Sequence, residues 1–223
     1  MKHLYTIMRK YILIIATAFI CCNVFAQADK NVRQLTQYLF PEFTEGSVLQ
    51  KSGTVTKTML NYNTLTQEMV FKQGEQYLAF ADPSSIDTVF LNNKKFIPVN
   101  NVFYEVAVNA PVRLFIQHVS DIISSGAETG FGKTQTSAAQ GLTDLKSSGK
   151  AYSLSLTDEY TIRNKTNYFS KKDQNLIAVN NLKDVKKVFA GKENLIDDYE
   201  KKNKISFKKE DDVIKLIEFC NGN

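Results

Sequence analysis

The 223-residue chain carries 28 Lys and Arg against 23 Asp and Glu, a formal charge of +5. Lys2, Arg9 and Lys10 lie within the first 26 residues, where no acid offsets them, so the rest of the chain carries only +2 and lacks the surplus cation of a phosphate-tracking nucleic-acid binder. Cys220 is the sole cysteine and His118 the sole histidine beyond residue 26, which excludes an intramolecular disulfide and Cys-based or multi-His zinc sites there.

Residues 1–26 read as a secretory signal peptide. A basic start precedes an apolar run from Tyr11 to Cys22, and Val24-Phe25-Ala26 offers small-residue cleavage subsites before Gln27. The run falls short of the ~18 to 20 residues of a membrane-spanning helix. The expectation is export to the periplasm or the cell surface. Lipidation of Cys21 or Cys22, which would anchor the chain, is disfavoured because Ile20 precedes Cys21 and Cys21 precedes Cys22, where a small residue is needed.

Residues 27–123 predict an antiparallel β region. Val32, Leu35 and Leu39 suit a helical turn or two before Phe40-Pro41. Ser47 to Asn63 and Thr66 to Ala81 are rich in strand-forming residues, with Gly53 and Gln73-Gly74 as turns. Asn92-Asn93 and Asn100-Asn101 tolerate the positive φ of tight hairpins, which places strands at 88–91, 96–99 and 102–108. Alternation puts Val102, Tyr104, Val106 and Val108 on the buried face and Glu105 on the other; Leu114, Ile116 and His118 then share a face in the next strand.

Residues 124–150 form a loop in which Gly, Ser, Thr and Ala fill 17 of 27 positions, a composition with little to bury and a candidate contact surface. Residues 151–223 follow with strands at 152–156 and 167–179, the latter turning at 172–175. Three short helices close the chain. Asn181 caps the first, which carries Leu182, Val185, Val188 and Phe189 and stops at Gly191; Leu195, Ile196 and Tyr199 mark the second. Val213, Ile214, Leu216, Ile217 and Cys220 mark the third, with Glu210, Asp211 and Asp212 in its first turn. Such helices are unstable alone and must pack together or on the sheet. The fold class expected is therefore α+β: an antiparallel β-meander, open to strong curvature, with a C-terminal cluster of short helices packed with it as one domain.

No catalytic, cofactor-binding or metal-binding residue is assigned from these patterns. The segment from Ala127 to Thr134, with Lys133, resembles a phosphate-binding loop, but the strands before it are antiparallel and the residues after it make a poor helix. His118 with Asp121 and Ser120, Ser124 or Ser137 lacks a nucleophile-elbow context. Glu68, Glu105, Asp87 and Asp158 offer no selected carboxylate pair, and Asp197-Asp198 and Asp211-Asp212 read as solvated helix faces. Cys220 reads as a small buried hydrophobe.

Two stretches, LNYNTLTQEMVF at 60–71 and EDDVIKLIEFCN at 210–221, together with the leader, resemble uncharacterised exported cell-envelope proteins of the Bacteroidota type. The resemblance implies localisation and carries over no activity, cofactor or site residue. The functional expectation is a non-catalytic binding or envelope-complex accessory module whose partner is another envelope protein; the alternatives are an envelope hydrolase and a small-ligand or lipid carrier.

Overall fold

The computed structural model describes residues 37–124, 128–129, 132–133, 160–172 and 175–222. The leader with Cys21 and Cys22, Val32 and Leu35, Ser137, the strand expected at 152–156 and Asp158 lie outside them. Ten strands form one antiparallel sheet: β1 (Thr44–Gln50), β2 (Val55–Asn63), β3 (Glu68–Gln73), β4 (Gln76–Ala79), β5 (Ile86–Leu91), β6 (Lys94–Val99), β7 (Val102–Val108), β8 (Leu114–Ser124), β11 (Tyr160–Lys172) and β12 (Asn175–Ala178). Between β8 and β11, β9 (Glu128–Thr129) and β10 (Gly132–Lys133) pair as a separate ribbon. Helices α1 (Leu182–Val188), α2 (Glu193–Asn203) and α3 (Glu210–Gly222) complete the α+β arrangement.

The hairpins lie where the local chemistry demands them. Asn92 and Asn93 (φ 50° and 61°) and Asn100 and Asn101 (φ 51° and 65°) occupy the left-handed region required by the two-residue turns on either side of β6. The spatial order is β12-β11-β8-β7-β6-β5-β1-β2-β3-β4, so the chain departs from a plain meander once. After β4 it passes through a 3-10 turn at Pro83–Ser85 and returns to lay β5 beside β1, in the manner of a Greek key.

The sheet curls without closing. Pairing of β7 with β8 stops at Glu105 and Ile116, and the β2–β3 turn wedges into the gap beyond. There Phe103 N donates to Gln67 O (3.1 Å), Ser120 N donates to Thr64 O (2.9 Å), and the Tyr62 hydroxyl reaches the carbonyls of Phe103 (3.2 Å) and His118 (3.0 Å). The splayed strands thereby recover partners for buried backbone groups that would otherwise be costly to leave unmade. This is why every residue from Leu60 to Thr66 is buried despite four polar side chains in that run.

Two apolar cores result. One, on the concave face, gathers Val48, Leu60, Tyr62, Met69, Val89, Phe96 and Phe103. In the other, α3 lays Val213, Leu216, Ile217 and Cys220 against Leu114, Ile116 and Tyr168 of the sheet and Val185 and Ile196 of the other helices. Cys220 is buried, as its apolar surroundings require, and burial raises its thiol pKa against the opposing charge of Lys192. Asn181 caps α1 by accepting from Asp184 N (3.0 Å). Asn221 pins the end of α3 through Val112, accepting from its N–H and donating to its carbonyl, both at 2.9 Å.

The face assigned to β7 from alternation is reversed. Phe103 and Glu105 are buried, at 1% and 5% exposure, whereas Val102, Tyr104 and Val106 are only half-buried. A register shift between Val106 and Val108 inserts one residue and returns Val108 to the core, so a single alternation cannot describe the strand. Leu114, Ile116 and His118 do share the buried face.

Candidate functional site

Glu105 sits where the two cores meet. Its register neighbours are Phe96 on β6, from one core, and Ile116 on β8, from the other. A carboxylate there is tolerable only with partners. Lys94 Nζ, on the same face of β6, lies 2.6 Å from Glu105 Oε1 and 3.3 Å from Glu210 Oε1 at the start of α3. His118 Nε2 lies 2.7 Å from Glu105 Oε2. Since an ionised carboxylate only accepts, the imidazole proton belongs on Nε2.

The electrostatics follow from this geometry. Burial raises the Glu105 pKa, but the hydrogen bonds from His118 and Lys94 and the Lys94 charge outweigh it, leaving the carboxyl below its ordinary value of 4.5. Burial lowers the Lys94 pKa, yet Glu105 and then Glu210 more than restore it, so the ammonium is held above 10.5. Above the cluster, burial drives the Tyr62 phenol well up, and its ring stands edge-on to His118 with centroids 6.0 Å apart. Beside it, the buried Tyr168 hydroxyl has no hydrogen-bond partner among the described residues, and burial, with Glu210 and Asp212, pushes its pKa to about 12.

Glu105, His118 and Glu210 present ligand atoms within 4.8 Å of one another, a set suited to a divalent transition metal. Lys94 already holds the cationic position among them. The arrangement is an ion-paired joint tying α3 to the sheet, a site that motif reading missed because its four members come from β6, β7, β8 and α3.

The other sequence candidates separate. Ser120 Oγ lies 2.7 Å from both Thr64 Oγ and Asn164 Oδ1, and Asp121 pairs with Lys165 (3.1 Å) and Arg163 (3.6 Å), so neither engages the His118 ring. Asp87 accepts from Thr88 (2.7 Å). Asp197 binds Lys186 (2.6 Å), Asp198 faces Lys201 (3.9 Å), and Asp212 accepts from Ser206 N (3.1 Å). Lys133 lies on the β9–β10 ribbon, opposite Glu128, where a phosphate-binding loop would place it at the mouth of a helix.

A second feature is open to solvent. An open hollow of about 490 Å³ around the Asn92-Asn93 turn is lined by β1, β2, β5 and β6. Register aligns Lys57, Ser47, Phe90 and Lys95 in one row across β2-β1-β5-β6. Phe90 is 46% exposed, and Val55 and Met59, also exposed, lie on the same face of β2. Among the described residues no helix is long and apolar enough to cross a membrane. Compared with known proteins, the chain matches no family model, no curated protein and no solved structure.

Proposed function

We propose that the chain is an exported, envelope-associated binding module that works through a sheet face and prepares no catalytic group of its own. The observation that carries this reading is the division of its side chains. The buried ionisable groups at the junction of the cores are spent on one another, with His118 committed to Glu105, while the convex face presents Phe90, Val55 and Met59 to solvent. Exposed apolar residues grouped on one face, unlike scattered ones, mark interaction surfaces. Export rests on Lys2, Arg9 and Lys10 ahead of the apolar run and on the cleavage site at Ala26.

The test is purification of the tagged full chain from the envelope of a host that exports it. The expected result is an N-terminus at Gln27 by mass spectrometry and one envelope protein recovered in fixed ratio with the chain. A diacylglyceryl adduct on Cys21 or Cys22 would make the module a membrane-anchored one. Hydrolysis of envelope glycan or peptide abolished by Glu105→Gln, or a lipid recovered in stoichiometric amount, would overturn the reading in favour of an enzyme or a carrier.

A further inference from the structure

The row Lys57, Ser47, Phe90, Lys95 has a length that selects a ligand. Adjacent strands lie about 4.8 Å apart, so three steps from β2 to β6 place Lys57 and Lys95 about 14 Å apart along a line crossing the strands. An extended peptide rises about 3.3 Å per residue with i, i+2 and i+4 on one side, which sets its positions i and i+4 about 13 Å apart. The two spans match. Between the cations, Ser47 and the half-exposed Phe90 both line the hollow.

The charges on the row are available. Lys95 makes no ion pair among the described residues, and Lys57 meets only Glu45, at 3.9 Å with both side chains largely exposed, a contact of the kind that contributes little. Among the described residues lining the hollow Glu45 is the one acid, against Lys57 and Lys95 on the row; Lys94, also at its rim, points to the other face and is committed to Glu105 and Glu210. The row therefore carries a lysine at each end with the exposed Phe90 ring between them.

We propose that this convex row docks an extended acidic segment of a partner protein, laid across β2-β1-β5-β6 with carboxylates at i and i+4 on Lys57 and Lys95 and an apolar side chain at i+2 over Ser47 against Phe90. The proposal rests on the reading of the chain as a binding module and gives that module its ligand class. Specificity comes from spacing: acids placed at i and i+1 point to opposite sides of an extended chain and cannot engage both lysines. Phe90 supplies the anchor and the lysines the register and the salt dependence.

The probe is a fluorescein-labelled nine-residue peptide centred on Glu-Thr-Leu-Thr-Glu, titrated into the protein purified after export and followed by anisotropy. Saturable binding that weakens with salt is expected, with Kd raised at least about tenfold by Phe90→Ser or by Lys95→Glu. The matching peptide with adjacent glutamates should bind at least about tenfold more weakly. The double variant Lys57→Glu/Lys95→Glu should instead take the peptide centred on Lys-Thr-Leu-Thr-Lys, a gain that a misfolded protein cannot produce. Failure to bind, indifference to acid spacing, or preference for phosphatidylglycerol vesicles over the peptide would overturn the proposal. If Phe90→Ser and Lys95→Glu still recover the native envelope partner in full, the module reading stands and this face is the wrong one; if the unaltered chain recovers none, the module reading itself falls.

Discussion

Glu105 and His118 meet at 2.7 Å between Oε2 and Nε2 where the paired part of β7 and β8 ends and the β2–β3 turn enters. On one side of this pair lies the core built on Phe96 and Tyr62, and on the other the core built on Ile116 and α3. Lys94 extends it to Glu210, so one polar chain links two β-hairpins to the C-terminal helix. Its directional bonds fix how the helix seats on the sheet, which apolar packing alone leaves degenerate.

Removing the central charge should cost more than placing a hydroxyl on the neighbouring half-buried position. Glu105→Gln leaves Lys94 and His118 without their shared carboxylate, and breaking a buried pair from one side destabilises by about 3 to 5 kcal/mol, reduced here to about 2 to 3 because Lys94 reaches water. Val106 faces the other way and is half-buried. Urea midpoints should therefore fall further for Glu105→Gln than for Val106→Thr. A larger loss for Val106→Thr would mean that the convex side of β7 supports the fold more than the ionic joint does.

The same carboxylate sets an acid limit. Its folded pKa is depressed, so its stabilisation is complete above the unfolded value near 4.5 and disappears as pH falls through the lower folded value. Lys94 has a raised pKa, so its contribution is complete below 10.5 and is lost only as pH rises through the higher folded value. Unfolding free energy should decline on acidification from about pH 5 to pH 3 in the unaltered protein, with a shallower slope in Glu105→Gln. Equal slopes in urea titrations would place the acid-sensitive groups elsewhere.

Local chemistry was legible in the sequence and long-range pairing was not. Asn92-Asn93, Asn100-Asn101 and the Asn181 cap are each decided within a few residues by φ or by one hydrogen bond, and all three stand where expected. The buried joint joins Lys94 to Glu210 across 116 positions, beyond any spacing rule. Alternation failed on β7 because the inserted residue changes parity midway. On β8 it was incomplete, since Leu114, Phe115 and Ile116 are all buried and period two vanishes when both faces are covered. The convex row stayed hidden because the β4–β5 return, not a hairpin, brings Phe90 beside Ser47.

At Gly46, β1 leaves no room for a side chain. A Cβ there would lie 2.7 Å from the Phe90 carbonyl oxygen and 2.8 Å from Leu60 Cδ1, and the backbone oxygen cannot step aside without moving β5. Gly46→Ala should cost about 1 to 3 kcal/mol, the range for overpacking. Gly222→Ala meets nothing within 4 Å and serves as the control. Matching urea midpoints for the two variants would show that β1 and β5 separate freely, a looseness that would also unsettle the Lys57-to-Lys95 spacing.

Lys94 should prove to be the resident cation of the buried joint. Its ammonium bridges Glu105 and Glu210, and together with His118 those groups hold ligand atoms within 4.8 Å of one another, a geometry that a small relaxation brings to tetrahedral zinc. Lys94→Met removes the charge and keeps most of the stem, leaving two carboxylates and an imidazole facing one space. That variant should be destabilised in chelator and should regain thermal stability on addition of Zn²⁺, because a ligand bound only by the folded state adds RT ln(1 + [L]/Kd). The unaltered protein should show no such gain, since the metal would have to expel an ammonium held by two carboxylates. Scanning calorimetry of both proteins with and without Zn²⁺ decides the matter: an equal rise in Tm for the two would show that Lys94 yields its place, and no rise in Lys94→Met would show that the three groups cannot converge on one ion.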